Sequence, residues 1–224
     1  VSLHVYDVEQ RTDEWLALRR GILTASTVGQ LVTPTLKVAS NDKSRALVWQ
    51  LVAERINGRV EETYQSRDMW RGVVDEPVAR AIYREHYAPV AECGFMVREQ
   101  DGWRLGYSPD GLVGDDGLIE IKSHAPKRHV EIILSGHVPG EHMAQIQAGL
   151  LVSGRAWCDY LSYRDGMPMW RQRVEPDERW HEAITQAVTQ FEETAAQHIA
   201  DYERAVLGLV RTERIDYDTA GIEF

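Results

Sequence analysis

Apolar residues in the first 87 positions recur mostly at the three- and four-residue intervals of a helix face. Thr12-Asp13-Glu14 ahead of Trp15, Leu16 and Leu18 reads as a capped helix start, closed by Gly21 after Arg19-Arg20. A second helix is expected from about Ala25 toward Val32, ending before Pro34. Asn41 to about Asn57 carries Leu47, Val48, Leu51, Val52 and Ile56 at helical spacing, and Asn57-Gly58 closes it. A long helix covers roughly Asp68 to His86, in which Pro77 marks a first turn or a kink.

After Tyr87 to Arg98, which leads into a sheet, the pattern changes. Trp103 to Val113 and Leu118 to Ser123 are β-prone runs, and Gly114-Asp115-Asp116-Gly117 between them is turn chemistry, so an antiparallel hairpin is expected. Lys127 to Leu134 reads as helix, Gly136 to Gly140 as loop, and Glu141 to Val152 as a helix with Met143, Ile146, Leu150 and Leu151 on one side. Trp157 to Tyr163 and Met169 to Val174 read as strands around the Arg164-Asp165-Gly166 turn. Pro176 opens a long helix through about Leu207, and the tail from Thr212 is polar. This order predicts an α/β (α+β) domain around one central sheet, without internal repeats. At 224 residues a single domain is expected: a helical part at 1–87, a sheet-bearing core at 88–175, and a helix with tail at 176–224.

Composition narrows the class. No apolar run approaches the ~20 residues that span a bilayer, so no membrane partner and a soluble intracellular protein are expected. Cys93 and Cys158 are too few for a disulfide framework or a four-cysteine metal site, and both are expected to act as small hydrophobes. A net charge of −10 argues against a polyanion partner only if the charge is evenly spread. Acid is dense in the last third, whereas Arg19, Arg20, Lys37, Lys43, Arg45, Lys122, Lys127 and Arg128 lie earlier, so an acidic back with a locally basic groove is expected.

The residues that state a chemistry are Ser108-Pro109-Asp110-Gly111-Leu112 and Glu120-Ile121-Lys122. Glu120 and Lys122, two apart on a strand, project to one side, and a hairpin folds Asp110 back toward them. Two carboxylates held close need a proton or a hard divalent cation between them, and Mg²⁺ typically takes one or two protein carboxylates while leaving other positions to water or phosphate. An ammonium beside them can orient water or offset charge growing on a phosphoryl group, which together suits phosphodiester hydrolysis. An ordinary hairpin with a surface Glu–Lys pair satisfies the same short pattern.

Five ordered blocks, taken together, resemble the lambda exonuclease-like viral recombinase family, a branch of the PD-(D/E)xK nuclease superfamily. They are Trp15 to Ser26, Arg71-Gly72 with Glu76, Ser108 to Leu112, Glu120 to Lys122, and Met143 to Gln147. The resemblance implies a restriction-endonuclease-like core with a central mixed sheet flanked by helices. It further implies that Asp110, Glu120 and the backbone carbonyl of Ile121 bind Mg²⁺, with Mn²⁺ able to substitute, and that Lys122 orients water. Glu76 would line the same site, although Glu on a helix is commonly a solvated face. Gln145 would hold the water or Lys122, with Gln147 close enough to confuse the assignment. Arg19, Ser26 and Ser108 would form a pocket for a 5′-terminal phosphate, with Arg20 as the stand-in if the register shifts by one; alternatively Arg19 interacts with its own helix carbonyls.

The expected activity is 5′-to-3′ exonucleolysis of double-stranded DNA ends, releasing 5′-mononucleotides and leaving a 3′ single strand for a single-strand annealing protein. The resemblance also implies a ring-shaped homotrimer and the cytoplasm of a bacterial host. A structure- or sequence-selective endonuclease and a non-catalytic DNA-end-binding subunit are the alternatives. Most of the seven tryptophans are expected in the core or at the trimer interface. His124 and His129 follow the motif closely enough to reach DNA phosphate, although a loop histidine is more often unengaged; His137, His142 and His198 show no metal spacing, and Asp115 and Asp116 are turn residues.

Overall fold

The computed structural model describes residues 1–60 and 66–215. Strand β1 (Ser2–Tyr6) leads into helices α1 (Asp13–Arg19), α2 (Ala25–Val28), α3 (Asp42–Asn57) and α4 (Arg67–His86). Strands β2 (Phe95–Gln100), β3 (Trp103–Tyr107), β4 (Gly111–Val113) and β5 (Gly117–Ser123) follow, then α5 (Pro126–Ser135) and α6 (Gly140–Ser153). Strands β6 (Trp157–Tyr163) and β7 (Trp170–Val174) precede the long helix α7 (Glu178–Ala205). Among the described residues no helix is long and apolar enough to cross a membrane.

The expected mixed α/β architecture is present, but its strands form two sheets instead of one. Strands β1, β2 and β3 make an antiparallel sheet, and β4-β5-β6-β7 a mixed one in which only β5 and β6 run parallel, with α5 and α6 as their crossover. The expected strand from Trp103 to Val113 is therefore two strands in two sheets, broken at Ser108-Pro109-Asp110. Pro109 has no N–H to offer a ladder, and the chain must leave one sheet to reach the other. The hairpin itself is present, though short: Gly111 pairs with Ile119 and Val113 with Gly117.

Other boundaries shift for local reasons. Helix α2 stops at Val28 instead of reaching Val32, because Val32 enters an antiparallel bridge with Val38. Helix α3 begins as expected, with the Asn41 side chain accepting from the Ser44 N–H, and ends at Gly58 in the left-handed region (φ 74°) that glycine takes freely. Pro77 lies inside α4, not in its first turn, and the helix continues through it. The last helix starts at Glu178, with Asp177 as the cap, and Pro176 stays outside. Strand β1 went unread: Leu3 and Val5 alternate with Ser2 and His4, but the run is only five residues long and no buried face marks it, since all five side chains are exposed.

Alternation on the mixed sheet sorts its residues onto two faces. Ile119 and Ile121 of β5 and Leu161 and Tyr163 of β6 pack with Ala79 and Tyr83 of α4. On the opposite face Leu118, Cys158 and Tyr160 join the larger core built with α2, α3, α6 and α7. Within that core α6 approaches β3 so closely that a β-carbon at Gly149 would stand 2.8 Å from the Tyr107 ring.

One charge is sealed on the α4 face. Asp159 is fully buried and accepts from Tyr83 (2.7 Å), Arg171 (2.8 Å) and Arg173 (2.8 Å). Burial alone would push its carboxyl up, but the hydrogen bonds from Arg173, Tyr83 and Arg171 hold it below the usual carboxylate value. Asp159→Ala is expected to cost about 2–3 kcal/mol at neutral pH, because it strands the Tyr83 hydroxyl and two guanidiniums. A group with a depressed folded pKa stabilises fully above its unfolded value and loses that contribution as pH falls through the folded one. Denaturation curves should therefore show the gap between wild type and Asp159→Ala narrowing below about pH 4; a gap independent of pH would contradict the charged network.

Candidate active site

Strand β5 decides which groups meet. Glu120 and Lys122 project to the α6 side, and Lys122 Nζ lies 2.7 Å from Glu120 Oε1. From α6, Gln145 Nε2 donates to the same Oε1 at 2.6 Å, while Gln145 Oε1 accepts from Lys122 Nζ at 3.1 Å. Glu120 is fully buried, and its second oxygen, Oε2, has no hydrogen-bond partner among the described residues. A buried carboxylate oxygen without a donor is costly unless something cationic completes it. Gln147, the other residue considered for this position, is turned away: it donates to the Glu175 carbonyl and accepts from the Asp177 N–H.

Asp110 arrives from the break between the two sheets. Its Oδ2 accepts from the Ile121 N–H at 2.6 Å, and its carbonyl accepts from Arg80 Nε at 2.6 Å. An extended residue presents its N–H and C=O to the same edge, so the Ile121 carbonyl lies on the side from which Asp110 reaches in. Burial first, and then the neighbouring charges of Glu120 and Glu76, push the Asp110 carboxyl well above its ordinary value. Lys122 responds oppositely: burial would lower it, but Glu120 and Asp110 raise it, so the ammonium form is secured. Among the described residues no three His, Cys, Asp or Glu side chains are grouped to hold a metal by themselves, so the candidate donors are two carboxylates and a backbone carbonyl.

Glu76 sits on α4 and pairs with Arg80 one turn on and with Arg11 Nη2 at 2.6 Å. It is thus not a solvated-face residue, yet among the described residues it makes no hydrogen bond to Asp110, Glu120 or Lys122, which it reaches through its field alone. Arg80 also engages Glu92 at 3.0 Å. Glu76, Arg80 and Asp110 line a cleft of about 380 Å³ together with Asp7 to Arg11 and Glu92 to Gly94.

On the other side of Pro109 the second expected site takes shape in part. Arg19 Nη1 donates to Ser108 Oγ at 3.1 Å, and Trp15 Nε1 donates to the same oxygen at 2.9 Å. The Arg19 guanidinium stacks 4.1 Å from the Trp15 ring centre. It does not cap its own helix. Burial lowers its pKa to about 10, which leaves it charged at neutral pH, and among the described residues no salt bridge engages it. Ser26 is exposed at the start of α2 and bonds Thr24 Oγ1 at 3.1 Å, with no hydrogen bond to Arg19 or Ser108. Its link to them is indirect, through the parallel bridge between Thr24 and Gly106. Arg20 points elsewhere, to the Gly58 carbonyl.

Several expectations about neighbouring residues are corrected. His124 is engaged with the Tyr160 hydroxyl at 2.8 Å, and His129 is fully buried between Ser162 Oγ (2.7 Å) and the Pro168 carbonyl (3.0 Å). Of the tryptophans, Trp103 lies in the core as expected, Trp49 and Trp70 are more than half exposed in the single chain, and Trp15 packs against the Ile22, Phe95 and Val97 cluster while its indole donates to Ser108. Also missed was the clamp on the end of β5, where Ser123 Oγ donates to Asp75 at 2.6 Å and accepts from Arg71 Nε at 3.0 Å. The Glu76–Arg80 spacing was legible as a helical ion pair, but its tie to the Asp110 carbonyl was not.

With this geometry in place, comparison with known proteins is informative. The chain is similar over 89% of its length to an alkaline exonuclease (LHK-Exo) from Laribacter hongkongensis, at 33% identity, 100% coverage of that chain and a TM-score of 0.79. A structure of the same enzyme in complex with dAMP matches at 34% identity, 89% coverage of this chain, 100% of that one, and TM-score 0.78. A phage related exonuclease from Haemophilus somnus 129PT shares the fold at 11% identity and TM-score 0.58, over 81% of this chain and 96% of that one. No curated protein matches. The family model described as the YqaJ-like viral recombinase domain matches residues 14–156, a span that contains Arg19, Glu76, Asp110, Glu120, Lys122 and Gln145. The chain belongs to the YqaJ-like viral recombinase family.

Proposed function

We propose that this protein is a Mg²⁺-dependent exonuclease that degrades double-stranded DNA 5′ to 3′ from 5′-phosphorylated ends, releasing 5′-phosphomonoesters and leaving a 3′ single strand. The observation that carries this reading is the Ser108-Pro109-Asp110 link. On one side stands the Arg19 guanidinium, bonded to Ser108 and in no salt bridge among the described residues; on the other, Asp110 and Glu120 crowd together, with the Lys122 ammonium on one Glu120 oxygen and the second oxygen unpartnered. The similarity to an alkaline exonuclease, one of whose structures holds dAMP, supports it. A homotrimeric ring around the duplex and a single-strand annealing partner in the bacterial host cytoplasm belong to the same proposal.

Asp110, Glu120 and the Ile121 carbonyl would hold Mg²⁺, or Mn²⁺ in its place; Glu120 Oε2 and the like-charge pressure on Asp110 fit such an ion. When bound, the ion supplies Lewis-acid charge to the phosphoryl oxygens and acidity to water. Lys122 keeps its ammonium beside that site and orients the attacking water or offsets charge on the phosphate. Gln145 fixes Glu120 and Lys122 relative to each other, and Glu76 adds negative field at the flank. Arg19 and Ser108, with Ser26 at the rim, take the 5′-phosphate, so the bond presented to the metal site is the first internal one.

Asp110→Ala and Lys122→Ala are each expected to lower metal-dependent degradation of linear duplex by about a thousandfold with circular dichroism unchanged. Retained activity in both would remove the site assignment. Covalently closed circles should stay intact, and a 5′-hydroxyl end should be cut more slowly than a 5′-phosphate end; Arg19→Ala should erase that preference. Gln145→Leu is expected to lose about ten- to hundredfold in activity. Independently of turnover, saturating Mg²⁺ should raise the thermal midpoint by roughly 5–10 °C in wild type and not in Asp110→Asn. An equal rise in both would show that Asp110 holds no cation.

A further inference from the structure

We propose that Arg11 is an additional DNA-positioning residue: it rests on Glu76 in the free protein and transfers to a backbone phosphate when a duplex end enters the cleft. This inference rests on the nuclease reading above and extends it to a residue outside the candidate set. Arg11 holds a left-handed backbone, φ 71°, which a residue with a β-carbon adopts reluctantly. Its neighbours impose that turn. Gln10 Nε2 is bonded to the carbonyls of Cys93 (2.9 Å) and Pro109 (3.0 Å), and Thr12 caps α1. Pinned on both sides, Arg11 places its guanidinium in the cleft that Glu76, Arg80 and Asp110 line.

Its pairing with Glu76 is not what neutralises that carboxylate. Arg80, on the same helix and only 10% exposed, already does so, whereas the Arg11 side chain is 46% exposed. With its guanidinium half exposed, Arg11 can leave Glu76, which stays paired with Arg80, at little cost. A guanidinium also forks onto phosphate oxygens. Position then decides the partner. Arg11 immediately precedes the cap of the helix that brings Trp15 and Arg19 to Ser108, and it shares a cleft with Asp110. It is therefore tied to both halves of the candidate site, by the shared cleft on one side and by α1 on the other, and the partner proposed for it is a phosphate backbone running from one half to the other.

Arg11→Gly tests this without risk to the fold, because glycine takes the left-handed conformation freely. Binding of a 5′-phosphorylated duplex is measured by fluorescence anisotropy with Ca²⁺ in place of Mg²⁺, across a salt series. Affinity should fall about tenfold, the slope of log affinity against log salt should become shallower by about 0.9, and the thermal midpoint should not fall. Arg11→Lys should keep the slope while losing part of the affinity. Unchanged affinity and slope in Arg11→Gly, or a lower midpoint with unchanged binding, would overturn the proposal in favour of a structural ion pair. Wild-type protein that neither binds nor degrades duplex ends would overturn the nuclease reading with it, whereas active wild type beside an Arg11→Gly variant that binds equally well overturns this inference alone.

Discussion

A single buried carboxylate organises the site. Glu120 is sealed on the inner face of the mixed sheet, where an uncompensated charge is expensive. Lys122 and Gln145 satisfy one of its oxygens and leave the other bare. That asymmetry explains why the surrounding elements are arranged as they are. Strand β5 has to place Glu and Lys on one face, α6 has to cross that face with a polar side chain in an otherwise apolar run, and Asp110 has to come in from the edge.

The edge approach depends on the break at Pro109. Were Trp103 to Val113 one strand, Asp110 would be a ladder residue with its backbone committed to pairing. Instead the chain steps from one sheet to the other there, and the backbone groups released are taken up by side chains. Arg80 holds the Asp110 carbonyl, Gln10 the Pro109 carbonyl, and the Asp110 carboxylate caps the Ile121 N–H that β4 ends too soon to meet. The same step carries Ser108 to Trp15 and Arg19. Two sites of opposite charge are thus joined by one residue that cannot donate a backbone hydrogen bond.

How much of this was legible follows from what local sequence encodes. Helices such as α3 could be read because their apolar spacing is helical and their caps are local, as at Asn41 and Gly58, and strands β5 and β6 because they are short β-prone runs, buried almost throughout, bounded by turn residues. The facing of Glu120 and Lys122 is a property of strand geometry and needed no partner. Strand β1 was not legible, since its five-residue alternation is too short to decide and its pairing with β2 is set about ninety residues away in sequence. Nor was the separation into two sheets, because both halves of Trp103 to Val113 are equally β-prone. Among the site residues, Gln145 could be named but not its two simultaneous bonds, and Ser26 is tied to the pocket only through the Thr24 bridge. Arg11, Trp15 and Arg80 act through contacts between distant segments, which spacing cannot reveal.

The formal charge of −10 looks wrong for a protein that handles a polyanion until the individual charges are followed. Much of the basic content is spent structurally: Arg171 and Arg173 on Asp159, and Arg55 on Glu192, where α3 meets α7. What governs a ligand is the local balance, and the two sides of Pro109 differ in it. Arg19, fixed by a neutral hydroxyl and an indole ring, keeps its full charge for an external anion. Asp110 and Glu120 stand on the other side, where burial and the neighbouring carboxylates push the Asp110 carboxyl well above its ordinary value. Net charge is therefore a poorer guide to a partner than the distribution of charge across Pro109.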